Sequence, residues 1–286
     1  MHPTTFTIKN VLVATDLSAR SDRAITRAVE IARRLDAQLY VVHIADADTI
    51  TRSLRARYEQ EALEIVRRQI GNQRGRVGRT EVILKFGDVY PTAVKLISQL
   101  NIDLLVLGTH RKRPILDAFI GTTGERIIRY ARVPALVVRD VVHGPYRNLL
   151  FALDFSPCSR KAITVAGALV DRATARLVHA YILPFSGLIG SSSLREAKTE
   201  LHARGVAALL AEQASAAKTG VKLKFLPPIV SQGAVSEVVG REFRRQSADL
   251  MVFGTHGRSG LGTTMIGSVA AGFLNDPLCD VLVVPE

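Results

Sequence analysis

The chain contains itself twice. Residues 10–44, NVLVATDLSARSDRAITRAVEIARRLDAQLYVVHI, align without a gap on residues 148–182, NLLFALDFSPCSRKAITVAGALVDRATARLVHAYI. Asp16 then stands opposite Asp154, and Ile44 opposite Ile182. The match resumes with Gly87 opposite Gly233, eight residues further on in the second copy, and the Gly/Ser-rich stretch PFSGLIGSSS is the loop expected to hold the surplus. The closing stretches VPALVVRD and CDVLVVPE match as well. A period of about half the chain is that of a duplicated domain, far longer than the roughly 20–50 residues of solenoid repeats. The sequence therefore divides into domains 1–143 and 144–286, joined around VVHGPYRN with its Gly144 and Pro145.

Inside each copy, short apolar runs alternate with helical patterns. NVLVAT, QLYVVHI, TEVILKFG, IDLLVLG and PALVV have the length and continuous apolarity of buried strands. Between them, Ala24, Ile25, Ala28, Val29, Ala32 and Leu35 recur at helical spacing. A basic amphipathic helix is expected next, with Leu54, Tyr58, Ala62, Ile65 and Val66 inward, followed by helices over VYPTAVKLISQL and within 118–130. Strands apolar on both faces and separated by helices require a parallel sheet covered on both sides. Each copy is predicted to be a five-stranded, doubly wound α/β domain.

The fourth strand of the second copy ends in Gly254, opening GTHGRSGLGTTMIGS; its counterpart, from Gly108, reads GTHRKRPILDAFIGT. In open α/β sheets, ligands bind beyond the carboxyl ends of the strands, where the strand order reverses. Glycines let backbone N–H groups approach and converge on an anion, and Gly267-Ser268 opens a helix whose first amides suit phosphate. The full pattern is Gly254-x2-Gly257-x9-Gly267-Ser268.

This pattern, with Asp16 and Asp154 at the ends of the first strands, resembles the universal stress protein family in its tandem form, over almost the whole chain. The resemblance implies strand order 3-2-1-4-5, the adenine nucleotide alpha hydrolase-like fold, and ATP with its phosphates on the glycine segment and Mg2+ on those phosphates. It places Ala152, Leu153 and Asp154 beside the adenosine and the Ile182 backbone at the adenine. Gly254, His256, Gly257, Arg258, Gly267, Ser268 and Val269 complete the implied set. The weaker set in the first domain is Asp16, Ile44, Gly108, Arg111, Gly121 and Thr122. There the second glycine is replaced by Arg111, followed by Lys112, Arg113 and Pro114. An Arg either obstructs close phosphate approach through its β-carbon or reaches the phosphate bidentately. ATP binding is expected mainly in the second domain.

His110 and His256 either touch ligand or cap their turns. Cys158, near a helix N-terminus, is either activated or a buried thiol. The chain has no CxxC, HExxH, GxSxG or GxxxxGK[ST], so metal, acyl-transfer and P-loop chemistry lack support. A net charge of +12 favours anionic partners in general. With 6% aromatic residues and no Trp, a nucleic-acid stacking platform is not expected, and the Arg-rich helix reads as a solvated face. Two cysteines, no spanning apolar run and no apolar leader at MHPTTFTIKN favour a cytoplasmic protein. The expectation is an ATP-binding regulatory module, with a slow ATPase or a nucleotide-free scaffold as alternatives. The apolar fifth strands are expected to pair, giving an intramolecular pseudo-dimer or, by exchange, a homodimer.

Overall fold

The computed structural model describes residues 6–19, 21–46, 50–71, 78–109, 123–183, 191–255 and 266–286. Two compact units emerge, one of Thr7–Pro145 and the other built on Tyr146–Glu286.

The first unit runs β1 (Asn10–Thr15), α1 (Ser21–Leu35), β2 (Gln38–Ala45), a 3-10 turn (Arg52–Leu54), α2 (Arg55–Gly71), β3 (Thr80–Phe86), α3 (Val89–Gln99), β4 (Leu104–Gly108), α4 (Thr123–Ala131) and β5 (Ala135–Val138). Its strands are parallel in the order β3-β2-β1-β4-β5. The second unit runs β6 (Asn148–Ala152), α5 (Pro157–Ala168), β7 (Ala173–Tyr181), α6 (Ser191–Lys218), β8 (Leu223–Phe225), β9 (Ile229–Gln232), α7 (Val235–Gln246), β10 (Leu250–Gly254), α8 (Ser268–Asn275) and β11 (Asp280–Val284). It repeats the order, with β7, β6, β10 and β11 as second, first, fourth and fifth strands. Its third strand comes in two pieces, β8 and β9, both parallel to β7. Pro227 and Pro228 lie between them, and proline has no N–H for the ladder.

The central strands carry the core. Val11–Val13, Leu104–Val106, Leu149–Phe151 and Leu250–Val252 are all buried, as sheets covered on both faces demand. α2 departs from its predicted face. Ala62 and Val66 are buried, but Leu54 is 55% and Ile65 38% exposed. Tyr58, Ala62 and Val66 keep a spacing of four and make the inner stripe. Ile65 lies at the edge of that stripe, about 60° from Ala62 and about 100° from Val66, and Leu54 belongs to the preceding 3-10 turn.

A carboxylate fastens the first strand to the fourth in each unit. Asp103, just before β4, accepts the N–H groups of Lys9 and Asn10 at 2.8 and 2.9 Å, while its own N–H donates to the Asn10 carbonyl at 2.9 Å. Asp249, just before β10, accepts from Arg147 and Asn148 at 2.7 and 3.0 Å and donates to the Asn148 carbonyl at 3.0 Å. Hydrogen bonds to an ionised acceptor contribute about 1.5–3 kcal/mol. Asp103→Ala and Asp249→Ala should each lower stability by about that amount, read as a shift in urea midpoint at unchanged slope.

Candidate functional site

The strand order reverses between the first and fourth strands of each unit, because the connections leaving them pass to opposite faces. A cleft opens at the carboxyl ends there, and each unit has a cavity at this point. In the first unit it measures about 350 Å³ and is bordered by Ala14–Asp16, the end of β2, Tyr58 of α2, Gly108 and the start of α4. In the second it measures about 250 Å³ and is bordered by Ala152–Asp154, Val178, Ala180, Val235, Gly254, Thr255 and Gly267–Ala270.

Both cavities share one turn after the first strand. The Ser18 N–H donates to Asp16 Oδ1 at 3.0 Å, and the Ser156 N–H donates to Asp154 Oδ1 at 3.0 Å. The intervening residues, Leu17 and Phe155, sit at φ of 63° and 66°. A left-handed conformation costs a bulky L-residue about 1–2 kcal/mol, so the surrounding bonds must hold it. In the first unit, Thr15 Oγ1 accepts from the Leu17 N–H at 3.0 Å and meets Ser21 Oγ at 2.9 Å. Burial opposes ionisation of the Asp16 carboxyl, but hydrogen bonding from Ser18 and Ser21 outweighs it and holds the group below its ordinary value. The turn thus presents an ionised carboxylate at the cavity mouth.

A histidine from the second strand backs each turn. His43 Nδ1 lies 2.8 Å from the Thr15 carbonyl, and His179 Nδ1 lies 2.7 Å from the Leu153 carbonyl. A carbonyl only accepts, so Nδ1 carries the hydrogen in both. His43 Nε2 then accepts from the Tyr58 hydroxyl at 2.7 Å, and burial raises the Tyr58 phenol above its ordinary value. His179 instead packs on Phe155, ring centroids 4.6 Å apart. The inward role of neither histidine was foreseen from sequence. The shared dipeptide Val42-His43 and Val178-His179 was the available signal.

That dipeptide also corrects the alignment. Asn10 pairs with Gln38, but Asn148 pairs with Thr174, so the second copy is two residues shorter before its second strand. It is correspondingly ten residues longer, not eight, from there to its third strand, where Ala45 pairs with Phe86 and Tyr181 with Gln232. The shortening falls in the helix: α1 has 15 residues and α5 has 12. Ile44, on the wall of the first cavity, therefore corresponds to Ala180, which lines the second. Ile182 lies beyond the end of β7 and is 67% exposed. The residue of the second unit that stands where Ile44 stands in the first is Ala180.

Gly254 and Gly267 serve differently. A β-carbon on Gly254 would lie 2.7 Å from the Ser159 nitrogen and 2.8 Å from Cys158 Cβ, so this glycine admits the first turn of α5 against the strand end. That helix is capped by Ser156, whose Oγ accepts from the Ser159 N–H at 3.2 Å, with Pro157 at its first position. Cys158 is buried there. Gly267 N-caps α8 and donates to the Thr255 carbonyl at 2.6 Å. Ser268, Val269 and Ala270 bring amides without intrahelical acceptors to the cavity. His256, Gly257 and Arg258, and in the first unit His110, Arg111, Gly121 and Thr122, lie outside the described residues. Among the described residues no group of three His, Cys, Asp or Glu gathers to hold a metal ion, and no helix is long and apolar enough to cross a membrane.

Comparison with known proteins bears on the family and the fold. The model of the universal stress protein family matches residues 7–139 and again 145–285. A universal stress protein of Mycobacterium bovis is 26% identical over 96% of this chain and 97% of its own length. One from Staphylococcus haemolyticus is 33% identical over 46% of this chain and 86% of its own. The crystal structure of a universal stress protein from Archaeoglobus fulgidus superposes with a TM-score of 0.68 at 17% identity, covering 98% of this chain and 97% of that one.

The steric account of Gly254 is checked by Gly254→Ala. The added methyl meets backbone and a buried side chain, so unfolding measurements should show a loss of about 1–3 kcal/mol, the usual cost of overpacking.

Proposed function

This chain belongs to the universal stress protein family, and on that premise we propose that it is a cytoplasmic ATP-binding regulatory module whose nucleotide is held mainly by the second unit. The observation that carries the reading is the convergence on one cavity of the Asp154 turn, the Ala180 backbone and the N-terminus of α8. At about 250 Å³ the cavity lies at the small end for ligand sites, about 300–1,000 Å³. It takes the base and sugar and leaves the phosphates at the mouth. The amides of Ser268 and Val269 and the glycines from Gly254 to Gly267 then receive the phosphates, while the Asp154 carboxylate accepts from the sugar hydroxyls. Mg2+ would enter on the phosphates themselves, the usual manner for an ion that keeps several waters. Among the described residues lining this cavity, Asp154 is the titratable one, and its Oδ1 already accepts from Ser156. That set favours holding nucleotide over hydrolysing it. Cys158 and Cys279 are buried and form no disulfide, as suits a reducing compartment.

Isothermal titration with ATP tests the site. Gly257→Arg, which writes the first copy's residue into the second, should weaken binding at least about tenfold, or 1.4 kcal/mol. Asp16→Ala should leave the affinity of that site unchanged within about twofold. Unchanged stoichiometry and affinity in Gly257→Arg would remove the assignment to the second unit.

We also infer that the fifth strands, β5 and β11, are the edges through which the protein assembles, within one chain in preference to between chains. Each ends its own unit's strand order, and each is apolar: ALVV in β5 and VLVV after Asp280 in β11. A short link gives partners on one chain an effective concentration on the order of millimolar. Val137→Glu or Val283→Glu should loosen this pairing without changing the molecular mass by light scattering. A fall from dimer to monomer would show exchange between chains instead.

A further inference from the structure

We propose that His43 and His179 are positioning residues for the ligand-facing turns. Held in the Nδ1–H form, each fixes the carbonyl that immediately precedes the Asp16 or Asp154 carboxylate. The effect on ligand rests on the ATP-binding reading of the second cavity; the effect on the turn does not.

Three observations carry the inference beyond a histidine that merely satisfies a strand-end carbonyl. The same bond is present in both units, at 2.8 and 2.7 Å, although the residues supplying the carbonyl are Thr15 in one and Leu153 in the other. It is kept across the two-residue shortening that displaced the flanking alignment. It also persists when the other side of the ring changes: Tyr58 donates to His43 Nε2, while Phe155 packs against the His179 ring. What remains constant is the link from second strand to first-strand carbonyl, one residue before the carboxylate and two before the left-handed residue.

The physical logic is pre-organisation. Leu17 and Phe155 would relax out of the left-handed region if the preceding peptide could rotate. The imidazole removes that rotation by holding the carbonyl from a neighbouring strand. The following turn then keeps its carboxylate on the Ser18 or Ser156 N–H and at the mouth of the cavity. An ordered carboxylate meets its ligand without first spending conformational entropy.

The test uses full-length protein labelled with nitrogen-15. Long-range proton–nitrogen spectra of the parent should show Nδ1 carrying a hydrogen in both rings; a bare Nδ1 in either would overturn the assignment. His179→Leu should speed hydrogen exchange at the Ser156 amide about tenfold or more. The Thr174 amide, bonded to the Arg147 carbonyl at the other end of β7, should not change. ATP affinity of the same variant should fall about tenfold. His179→Asn sets a side-chain N–H where Nδ1 stood and should stay within about threefold of the parent on both measures. Unchanged Ser156 exchange in His179→Leu, or equal losses in the Asn and Leu variants, would overturn the positioning role. If the Leu variant does not fold, the ring spectra of the parent and the Asn variant decide. A parent that binds no ATP would sink the proposed function, while the Ser156 exchange would still decide this inference.

Discussion

Everything at the site depends on how the first strand is held to the fourth. β1 against β4, and β6 against β10, are the pairings at which the chain reverses its direction of progress across the sheet. At the amino ends, the Asp103 and Asp249 carboxylates take two N–H groups each and close a ring with the carbonyls of Asn10 and Asn148. Those N–H groups precede the ladder and would otherwise be left to water. Pinned at that end, the two strands have a fixed register when they reach their carboxyl ends, where helices depart to opposite faces. The cavity is the space those departures leave. Register at one end thus sets the distance at the other between the aspartate turn and the start of α4 or α8.

The two units keep this skeleton and change its lining. Both hold a bulky residue in the left-handed region after the aspartate, and both hold the preceding carbonyl from a histidine. Around that shared frame, the first cavity is walled by Tyr58 and Ile44, where the second has Ala180. Hydrogen bonds between side chains and backbone therefore carry what is common to the copies, and the side chains lining the cavities carry the difference. This division is expected when a strained turn must be over-determined to persist but the groups facing ligand are free to vary.

Sequence periodicity exposed the strands and their parallel arrangement, since continuous apolar runs between helices leave few other folds, while the strand order was implied by the family resemblance. The aspartates were legible because they repeat at the same strand end. What periodicity could not count was helix length. α5 is three residues shorter than α1, yet both keep the spacing that buries one face, so the gap-free alignment carried Ile182 two residues past the cavity. Helix ends were hidden for a related reason. Asp36, Asn101, Arg132 and Ser247 hold left-handed positions just past α1, α3, α4 and α7, where glycine is the usual signal. The exposed Ile65 reflects the limit of face assignment in a helix with only a narrow buried stripe, Ala62 and Val66. His43 and His179 escaped notice because a histidine in an apolar strand carries no spacing rule; its meaning lies in the carbonyl of another strand.

The glycines of the second copy separate along the same line between fold and ligand. Gly254 is required where it stands because Ser159 and Cys158 occupy the space of its β-carbon. Its counterpart Gly108 ends β4 and lines the first cavity. A glycine kept by helix packing says nothing about whether phosphate is bound, so the presence of both Gly108 and Gly254 cannot rank the two copies. Gly267 is a mixed case, since a β-carbon there would approach the Thr255 carbonyl to 3.3 Å while its helix opens onto the cavity. The comparison between copies that bears on function then narrows to Gly257 against Arg111, the position where the glycine pattern itself differs. A motif of four defined positions is thereby reduced to one that discriminates, and under the proposed ATP-binding reading the ligand preference of the two units turns on whether that position admits a phosphate against bare backbone.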